Sequence, residues 1–339
     1  MLYSGQYLLY HFNSDRTRSG CHELRCHRVW KHCPALCRQH SLYHRRRICA
    51  IASRSLSPED PYLLANPGVR LLRDYDALLR DPEVEAVYIA LPHKLHREWA
   101  LKALHRHLPV LCEKPAVLAV EEMEEIARVS AREHTYFLEA LKTKFSPGMD
   151  QLRQDMALLG PLRTIETCFS YDASEERDSF LFDPAQGGAL NDLGSYVAGF
   201  PLALMSGRAI QNISSELLCQ DDGIDLHFHA ELTFEGGVTA LLDGGIDRDK
   251  DRCAVIRGEL GAITIPNFHR LTGYEITLEG SPSITRQFPV TGDDMTGEIQ
   301  ALIDDVAAGR IESTRHTHAD TLQLLRVLRD IRINGRSAL

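Results

Sequence analysis

Residues 84–115, VEAVYIALPHKLHREWALKALHRHLPVLCEKP, decide the fold. They open with an apolar, β-branched run that is typical of a buried strand. Leucines and a tryptophan then recur near helical spacing between Leu95 and Leu108, and PVLCEKP predicts a short strand that ends in a turn. A strand–helix–strand unit of this length predicts a parallel sheet whose ligand sites lie at the carboxyl ends of the strands.

The same alternation continues on both sides of this unit. On the amino-terminal side, ICAIAS (48–53) predicts a buried strand and DYDALLR (74–80) a short helix. On the carboxyl side, AVEEMEEIARVSAREH (119–134) predicts an amphipathic helix and TYFLEAL (135–141) a further strand. We therefore expect an α/β, Rossmann-like dinucleotide-binding domain over residues 48–145.

After residue 145 the pattern becomes rich in strands. A loop over 170–188 comes first, and several of the later runs are separated by Gly or Asp turn signals. The predicted strands are 211–218, 226–234, 238–246, 253–258, 262–266 and 274–280, and the predicted helices are 189–207, 297–309 and 318–335. The last helix ends at Gly335, in the usual stop position. These elements predict an α+β domain over 146–339 with a large, mostly antiparallel open sheet.

The composition excludes several classes of function. The chain has 339 residues, a net charge of −9 and 44% hydrophobic residues, which is typical of a globular protein of about two domains. Nucleic acid and anionic membranes are excluded as main partners because they carry the same sign of charge. No apolar run approaches the roughly 18 residues of a membrane span. We therefore expect a cytoplasmic protein that acts on a small molecule.

The strand end AIASRS bears on the choice of cofactor. Ser53 and Arg54 lie where a Rossmann fold meets the adenosine ribose, and no carboxylate stands there. An acidic residue would accept hydrogen bonds from the ribose 2′-OH of NAD, whereas Ser and Arg can bind a 2′-phosphate. We predict NADP in preference to NAD; the alternative is a solvated surface arginine.

Two further strand ends carry polar residues. CEKP places Lys114 beyond a short strand, where its ammonium group can lie beside the nicotinamide with Glu113 as a hydrogen-bond partner. ALPHKLH places His93 and His96 at another strand end, within reach of the nicotinamide ribose or the substrate. The predicted cofactor-binding residues are Ser53, Arg54, Leu91, Pro92, His93, His96, Glu113 and Lys114. The alternatives are a solvated turn lysine and structural histidines.

GGALNDLGSY (187–196) supplies candidates for acid–base chemistry. Asp192 and Tyr196 are four residues apart, so they share one face of a helix that begins near the paired glycines. A Tyr hydroxyl serves as acid or base only if its pKa, near 10 in isolation, is lowered by a cation such as Lys114. The alternative is a buried Asp at a turn and a Tyr in the domain interface.

Together these stretches resemble the family of glucose-fructose oxidoreductase, inositol dehydrogenase and MocA. Its members have a strand ending ASRS, then AVYIATPNxLH, CEKP, EALWTRF and GGGALLDLGxY before a sheet domain. Here the matching stretches are AIASRS, AVYIALPHKLH, CEKP, EALKTKF and GGALNDLGSY, and the resemblance covers residues 48–335. Tyr196, where many relatives carry His, is similar to the branch of dihydrodiol dehydrogenase and NADP-dependent D-xylose 1-dehydrogenase. His93, Lys142 and Lys144 depart from the family's Asn, Trp and Arg, and these departures bear on the substrate.

The resemblance implies an activity and a set of roles. It implies hydride transfer between a nicotinamide and the CH–OH group of an aldose, D-xylose-like, or of a trans-dihydrodiol. The family's catalytic Lys, Asp and Tyr correspond here to Lys114, Asp192 and Tyr196. Tyr196 would take the hydroxyl proton, Lys114 would hold it near ionisation, and Asp192 would orient the site. The resemblance also implies a homodimer through the C-terminal sheet, and we predict no metal site.

Residues 1–47 do not fit this scheme. A family member needs G-x-G-x-x-G or G-x-G-x-x-A before AIASRS, because only Gly lets the backbone approach the pyrophosphate. Residues 20–36 read GCHELRCHRVWKHCPAL instead, and their C-x4-C and C-x3-C spacings are not those of zinc sites. One interpretation is a divergent segment, which favours a binding or regulatory relative with weak or no turnover.

The other interpretation is a frame or exon-boundary error in the gene model. Codons for residues 24–33 read one base later permit G-V-I-G-x-G-N-I-A, although only the glycine from Trp30 and Lys31 is forced. Codons for Val, Ile, Ala and Gly read out of register yield Cys, His and Arg, which explains the composition of this segment. A transcript that keeps the present frame would remove this hypothesis.

Overall fold

The computed structural model describes residues 9–10, 48–290 and 294–337 of the chain. The two interpretations of residues 1–47, including the stretch 20–36, lie outside the described residues apart from Leu9 and Tyr10. Within the described ranges no helix is long and apolar enough to cross a membrane.

The first part of the described chain consists of short strands that alternate with helices. The strands are β1 (Leu9–Tyr10), β2 (Ala50–Ala52), β3 (Arg70–Leu72), β4 (Val87–Ile89), β5 (Val110–Glu113) and β6 (Phe137–Ala140). The helices are α1 (Pro61–Ala65), α2 (Tyr75–Leu79), α3 (His96–Leu104) and α4 (Val120–Glu133). Each strand–helix–strand passage has the length that a parallel neighbour requires.

These strands form a parallel core. β4, β5 and β6 are parallel neighbours, with Val110 opposite both Val87 and Phe137. β2 and β3 form a separate parallel pair, and β1 joins the edge of β4 in the antiparallel direction. Strand residues such as Val87 and Val110 are fully buried because helices cover the sheet. The predicted Rossmann-like architecture is confirmed.

The second part of the chain builds a nine-stranded sheet in the order β14–β13–β12–β11–β7–β10–β9–β8–β15. Its strands are β7 (Leu162–Ser170), β8 (Ile210–Cys219), β9 (Asp225–Phe234), β10 (Thr239–Gly245), β11 (Cys253–Gly258), β12 (Gly261–Pro266), β13 (Gly273–Leu278), β14 (Ile284–Gln287) and β15 (Gly335–Ser337). Its helices are α5 (Met149–Asp155), α6 (Ala189–Val197), α7 (Gly199–Leu204), α8 (Thr296–Ala307) and α9 (His318–Asn334). Two pairs, β7 with β10 and β8 with β15, are parallel and the others antiparallel. The predicted open sheet is confirmed.

Two predicted helices differ in detail from the structure. The stretch 189–207 forms two helices, α6 and α7, that meet at Ala198, three residues before Pro201. The final helix ends at Asn334 as expected, but Gly335 has φ −62° and begins β15 rather than forming a left-handed cap. Gly335 lies close to Leu217, so a Cβ atom there would come within 2.1 Å of the leucine side chain unless that side chain moved.

The nine-stranded sheet has one covered face and one open face. α6 and α7 cover the first, where Leu193 and Phe200 belong to the same hydrophobic cluster as Ile165 and Phe228. The opposite face forms a shallow depression of about 960 Å³ with a mixed lining. Its lining includes Glu166, Cys168, Ser214, Glu216, His229, Glu231, Leu241, Asp243 and Val255.

The closing helices return to the first sheet. Ile299 and Leu302 of α8 join the cluster around Tyr88 and Leu111, and Leu325 of α9 joins the cluster around Trp99. The expected boundary near residue 146 therefore separates the strands of the two sheets, whereas α8 and α9 pack across it. This packing holds the carboxyl end of β5 against α6.

Candidate active site

An ion pair joins the two sheets at the carboxyl end of β5. Lys114 follows β5 directly and is 8% exposed. Its Nζ donates to Asp192 Oδ1 at 2.8 Å and to the Asp192 carbonyl oxygen at 2.6 Å. Asp192 stands in the first turn of α6 because that helix begins after Gly188, whose φ of +95° suits glycine. The predicted pairing of CEKP with GGALNDLGSY thus brings Lys114 and Asp192 together.

Tyr171 holds the other oxygen of the Asp192 carboxylate. It follows β7, and its hydroxyl donates to Asp192 Oδ2 at 3.0 Å. Burial, and then the Asp192 charge, raise the pKa of Tyr171, so its hydroxyl stays protonated. Tyr171 carried no signal in the sequence, because it comes to lie beside Asp192, 21 positions away, only when β7 is folded.

Tyr196 lies one helical turn beyond Asp192 and is 8% exposed. Two ammonium groups flank its ring: Lys114 Nζ at 5.2 Å and Lys142 Nζ at 5.8 Å from the ring centroid. Within the described ranges of the chain, no residue hydrogen-bonds to its hydroxyl. The hydroxyl is therefore available to a bound substrate.

The pKa of Tyr196 differs from the sequence expectation. Burial raises the pKa well above its usual value near 10, and the carboxylates of Glu113 and Glu298 raise it further. Lys114 was expected to lower this pKa. The structure gives the opposite direction, first because the ring is buried and then because carboxylates surround it. Tyr196 is thus a proton donor at neutral pH.

An aromatic and cationic wall that the sequence analysis did not identify completes the site. The His269 ring lies 5.9 Å from that of Tyr196 and 4.6 Å from that of Phe169. Burial, and then the charge of Lys142, lower the pKa of His269 to about 3, so the imidazole is neutral. Its Nδ1 is buried and has no hydrogen-bond partner among the described residues. The Arg252 guanidinium lies 5.1 Å from the centroid of the Phe169 ring.

Lys142 is fixed by an acidic partner in the same wall. Its Nζ lies 2.7 Å from Asp294 Oδ2, which also pairs with Arg270 at 3.0 Å. In the stretch EALKTKF, Lys142 stands where the family has Trp. That difference is the one signal in the sequence for the wall beside Tyr196. Asp294 and Arg270 carried no such signal because they are more than a hundred residues further along the chain.

The residues after β2 form a separate polar edge. Ser53 is fully buried, and its Oγ accepts hydrogen bonds from the backbone of Leu56 at 3.0 Å and of Ser55 at 3.3 Å. The Ser53 hydroxyl, which was predicted to bind the cofactor, therefore stabilises the turn after β2. Arg54 is exposed and lies 5.2 Å from the centroid of the Tyr75 ring. In the part of the chain that the structure describes, Arg54 forms no ion pair.

A second arginine, which the sequence analysis missed, shapes this edge. Arg73 follows β3 and its Nη1 donates to the carbonyl oxygens of Ser53 at 3.0 Å and Leu56 at 2.7 Å. It fixes the loop that presents Arg54. Two guanidinium groups at the carboxyl ends of β2 and β3 are a donor set that suits a phosphate group, so these residues fit the predicted 2′-phosphate.

The two predicted histidines are both buried, but they contact different parts of the molecule. His96 is fully buried, and its two ring nitrogens lie 2.9 Å from the Pro115 carbonyl oxygen and 2.7 Å from that of Leu91. It therefore ties the end of β4 to the turn after β5, and it acts on bound molecules only by positioning that turn. Leu91 is buried beside it, and Pro92 is half-buried.

His93 faces the second part of the chain. Its Nδ1 lies 3.0 Å from the carbonyl oxygen of Gln186, and its ring packs edge to face on Phe180 at 5.0 Å. Burial, and then the neighbouring His96 and Lys114, lower the pKa of His93 to about 3. A neutral His93 beside Lys114 can exchange hydrogen bonds with a substrate without carrying charge.

The Glu113 carboxylate accepts two hydrogen bonds at the end of β5. Its Oε1 accepts a hydrogen bond from the buried Tyr88 hydroxyl, and its Oε2 accepts one from the Lys114 backbone at 3.3 Å. The carboxylate therefore fixes the turn as well as lying near the site. The structure thus brings Glu113, Lys114, Asp192 and Tyr196 together with His93, while Ser53 and Arg54 occupy the end of a different strand pair.

Comparisons with known proteins identify both parts of the chain. A family model described as "Oxidoreductase family, NAD-binding Rossmann fold" matches residues 30–140. A second model, "GFO/IDH/MocA C-terminal domain", matches residues 154–264. The two matches lie on the two sheets in the order that the sequence resemblance predicted.

Individual relatives extend over most of the chain. Trans-1,2-dihydrobenzene-1,2-diol dehydrogenase of Danio rerio is 25% identical over 298 residues, which are 84% of this chain and 88% of that one. D-xylose 1-dehydrogenase (NADP(+)) 2 of Haloferax volcanii is 26% identical over 259 residues, covering 75% and 79%. The crystal structure of a 3-ketoreductase from Actinomadura kijaniata, in complex with TDP-benzene and NADP, superposes with a TM-score of 0.74 at 24% identity over 86% of this chain and 90% of that one. That likeness shows the shared fold.

Proposed function

The chain belongs to the GFO/IDH/MocA family of oxidoreductases, and from this premise we propose that it is an NADP-dependent dehydrogenase. It oxidises the CH–OH group of an aldose or a trans-dihydrodiol, or reduces the corresponding carbonyl. The observation that carries the proposal is the group formed by Lys114, which follows β5, and by Asp192 and Tyr196 of α6. NADP, when bound, supplies the hydride acceptor or donor.

Tyr196 exchanges the proton of the substrate. Its raised pKa keeps the hydroxyl protonated, so it is ready to donate to a carbonyl oxygen in the direction of reduction. In the direction of oxidation, the phenolate takes the proton from the substrate hydroxyl. Lys114 and Lys142, which both lie beside the ring, stabilise the negative charge that develops on the phenolate oxygen.

Lys114 and Asp192 position the substrate oxygen. The Lys114 ammonium group is held by two oxygens of Asp192, and Tyr171 fixes the remaining carboxylate oxygen. An ammonium group has three donors, so Lys114 retains one N–H for a substrate oxygen. This chain of contacts fixes the Lys114 ammonium group, which in turn orients the reacting C–O group.

Arg54 and Arg73 support the choice of NADP. Two guanidinium groups at the carboxyl ends of β2 and β3 complement a 2′-phosphate, whereas a ribose 2′-OH would favour a carboxylate. The relative from Haloferax volcanii carries NADP(+) in its name. We propose that residues 48–145 hold the cofactor and that 146–339 hold the substrate.

The wall around Tyr196 supports a polyhydroxylated or ring-shaped substrate. Phe169 and His269 offer aromatic faces, and Lys142 and Arg252 supply donors on the same side. Aromatic faces pack on the C–H groups of sugar and diol rings, while the cations hydrogen-bond their hydroxyls. The relatives from Danio rerio and Haloferax volcanii are named for one substrate of each kind.

Two measurements test the proposal. Titration of the purified chain with NADPH and NADH, followed by ligand fluorescence and thermal shift, should show tighter binding of NADPH. A panel of aldoses and cyclic trans-diols, monitored at the NADPH absorbance, should contain a substrate. A chain that binds neither nucleotide and turns over no sugar or diol would support the binding or regulatory alternative instead.

Substitutions in the same assay test the site. Tyr196→Phe and Lys114→Met should each lower turnover by about 100-fold or more, since general acid–base groups contribute that much. Tyr274→Phe is the matched control: it removes a buried hydroxyl that donates to Asp155 outside the site, and it should leave turnover near wild type. Near wild-type rates in Tyr196→Phe or Lys114→Met would remove that residue from the mechanism.

A further inference from the structure

A cluster of metal-ligand side chains lies on the open face of the nine-stranded sheet, beyond the active site. His227 and His229 are alternate residues of β9 and share one face, and Asp243 of β10 is paired directly with His229 in the register. The donor atoms of these three side chains all lie within 4.8 Å of one another. From this geometry we propose that His227, His229 and Asp243 bind a divalent transition-metal ion of the zinc class.

The spacing of the donor atoms suits a single ion. His227 Nε2 lies 2.8 Å from Asp243 Oδ1, and His229 Nδ1 lies 3.4 Å from Asp243 Oδ2. Two ligands at 2.0–2.1 Å from a tetrahedral zinc ion are about 3.3 Å apart. Imidazole and carboxylate together favour zinc and its neighbours over calcium or magnesium, which prefer oxygen ligands alone. Three protein ligands leave a fourth position for water.

Asp247 orients the His227 ring for metal binding. Asp247 Oδ1 lies 2.6 Å from His227 Nδ1, and Arg248 pairs with the other Asp247 oxygen. Both ring nitrogens of His227 face a carboxylate, so Nδ1 donates to Asp247 and, without a metal ion, Nε2 donates to Asp243. A bound ion would replace the proton on Nε2. Metal-bound histidines use the same arrangement, in which a carboxylate accepts from the nitrogen that does not ligate.

A side-chain cation already lies against two of the three residues of this cluster. Lys250 Nζ lies 2.8 Å and 3.0 Å from the two Asp243 oxygens and 3.2 Å from His227 Nε2. The ammonium group donates to both Asp243 oxygens, so its position marks a point beside His227 to which this carboxylate draws a cation. Lys250 is 31% exposed and stands on the β10–β11 loop, so it can move out when a metal ion binds.

No metal site was predicted from the sequence, because these three residues come together only through the geometry of the sheet. HFH places two histidines two residues apart, a spacing that brings side chains together only in a strand. The carboxylate comes from the neighbouring strand 14 residues later than His229. Only the β9–β10 register joins them.

The test is a zinc titration of the full-length chain after chelation and desalting, followed by calorimetry. His229→Ala and Asp243→Asn should each weaken zinc binding by about tenfold or more, and Asp247→Asn by about tenfold. Lys250→Met should tighten binding several-fold, because it removes the cation that competes with zinc. His105→Ala is the matched control, since His105 is an exposed histidine that pairs with Glu133 far from the cluster.

The test separates this cluster from other zinc sites, because His229→Ala should weaken zinc binding whereas Lys250→Met should tighten it. Free cysteines elsewhere in the chain are also able to take up zinc in a titration, so the signal of the cluster is the part that His229→Ala removes and Lys250→Met strengthens. His229 is 55% exposed, so its substitution leaves the fold intact, as circular dichroism will show. Wild-type affinity in His229→Ala, or unchanged or weaker binding in Lys250→Met, would overturn the proposal.

Discussion

At the scale of single residues, the raised pKa of Tyr196 predicts different pH profiles for the two directions of the reaction. Reduction needs the protonated hydroxyl, which is present throughout the neutral range because the pKa lies above 10. Oxidation needs the phenolate, whose fraction grows tenfold with each pH unit below the pKa. We expect the oxidation rate to rise up to at least pH 10 and the reduction rate to stay flat between about pH 6 and 9.

Initial rates in both directions across this pH range check the prediction. Lys142→Met should move the oxidation profile to higher pH, since it removes one of the two cations beside the Tyr196 ring. Lys102→Met, which removes a cation above the Trp99 ring instead, is the control. An oxidation rate that levels off below pH 8 would contradict the assigned base.

The second prediction for a single residue concerns Arg54 and the choice between NADPH and NADH. Arg54→Glu places a carboxylate at the carboxyl end of β2, where it repels a 2′-phosphate and accepts from a ribose 2′-OH. We expect NADPH binding to weaken by about tenfold or more and NADH binding to stay constant or tighten, as measured by nucleotide fluorescence. Arg106→Glu, just before β5 and so at the opposite edge of the sheet, should change neither affinity. Equal losses for both nucleotides would show that Arg54 does not contact the 2′-phosphate.

Residues next to strand ends could be identified from the sequence, whereas the partners that fix them could not. Lys114 and Asp192 stood in recognisable stretches, and their contact follows once both stretches lie at the carboxyl edge of the first sheet. Tyr171 and Asp294 carry no local signal of their roles, because each role is a contact across the fold. The direction of the Tyr196 pKa was wrong for the same reason, since burial and the neighbouring carboxylates are tertiary facts.

At the scale of secondary-structure elements, a buried charged network fastens β6 to α9. Glu139 of β6 is 2% exposed, and its Oε2 accepts from His316 Nε2 at 2.9 Å and from Thr321 at 3.0 Å. Lys144 Nζ lies 3.0 Å from His316 Nδ1, so it donates there and leaves the histidine proton on Nε2. Glu139 Oε1 accepts from the backbone of Ala116 at 3.0 Å, two residues after Lys114. The network therefore supports the catalytic turn as well as the helix.

Glu139→Ala should lower the free energy of unfolding by about 3 kcal/mol, since it leaves buried partners uncompensated. Glu139→Gln should cost less because its amide oxygen still accepts from Ala116. Urea unfolding measures both, with Glu235→Gln on an exposed turn as a control expected within about 0.5 kcal/mol of wild type. A Glu139→Ala protein as stable as the control would show that the network does not fasten the two elements.

The pH dependence of this network follows from the Glu139 carboxyl. Burial alone would raise its pKa, but hydrogen bonds from His316 and the backbone of Ala116 outweigh burial and lower it. A lowered pKa in the folded state stabilises the fold above the unfolded value near 4.5. The stabilisation is lost as pH falls below that value.

The success of sequence-based prediction varied between elements for physical reasons. Strands buried on both faces, such as β4 and β5, consist of continuous apolar residues and were predicted. β7 was missed although it is central to its sheet, because one of its faces is open and Arg163, Glu166 and Thr167 interrupt the apolar pattern. β14, a four-residue edge strand, was missed because only alternate residues are half-buried. α8 was predicted as a helix, but its packing on the first sheet was not.

At the scale of the whole molecule, one face of the nine-stranded sheet is left uncovered by the helices of the described chain. Leu241 of β10, at the centre of this face, is 40% exposed, and Val255 of β11 is half-buried. An uncovered sheet face with exposed apolar side chains favours a second copy, because two such faces bury each other around a twofold axis. We propose a homodimer through this face.

Leu241→Asp should convert the dimer into a monomer, since it places a charge without a partner at the centre of the buried face. Light scattering after size exclusion should give twice 38.2 kDa for the wild-type chain and 38.2 kDa for the variant. Leu64→Asp is the matched control, because Leu64 is a 67% exposed leucine of α1 on the other sheet, and it should remain a dimer. A monomeric wild-type chain, or a dimeric Leu241→Asp variant, would exclude this face as the interface. The active site is built within one chain from β5 and α6, so the monomer should keep NADPH binding while losing association alone.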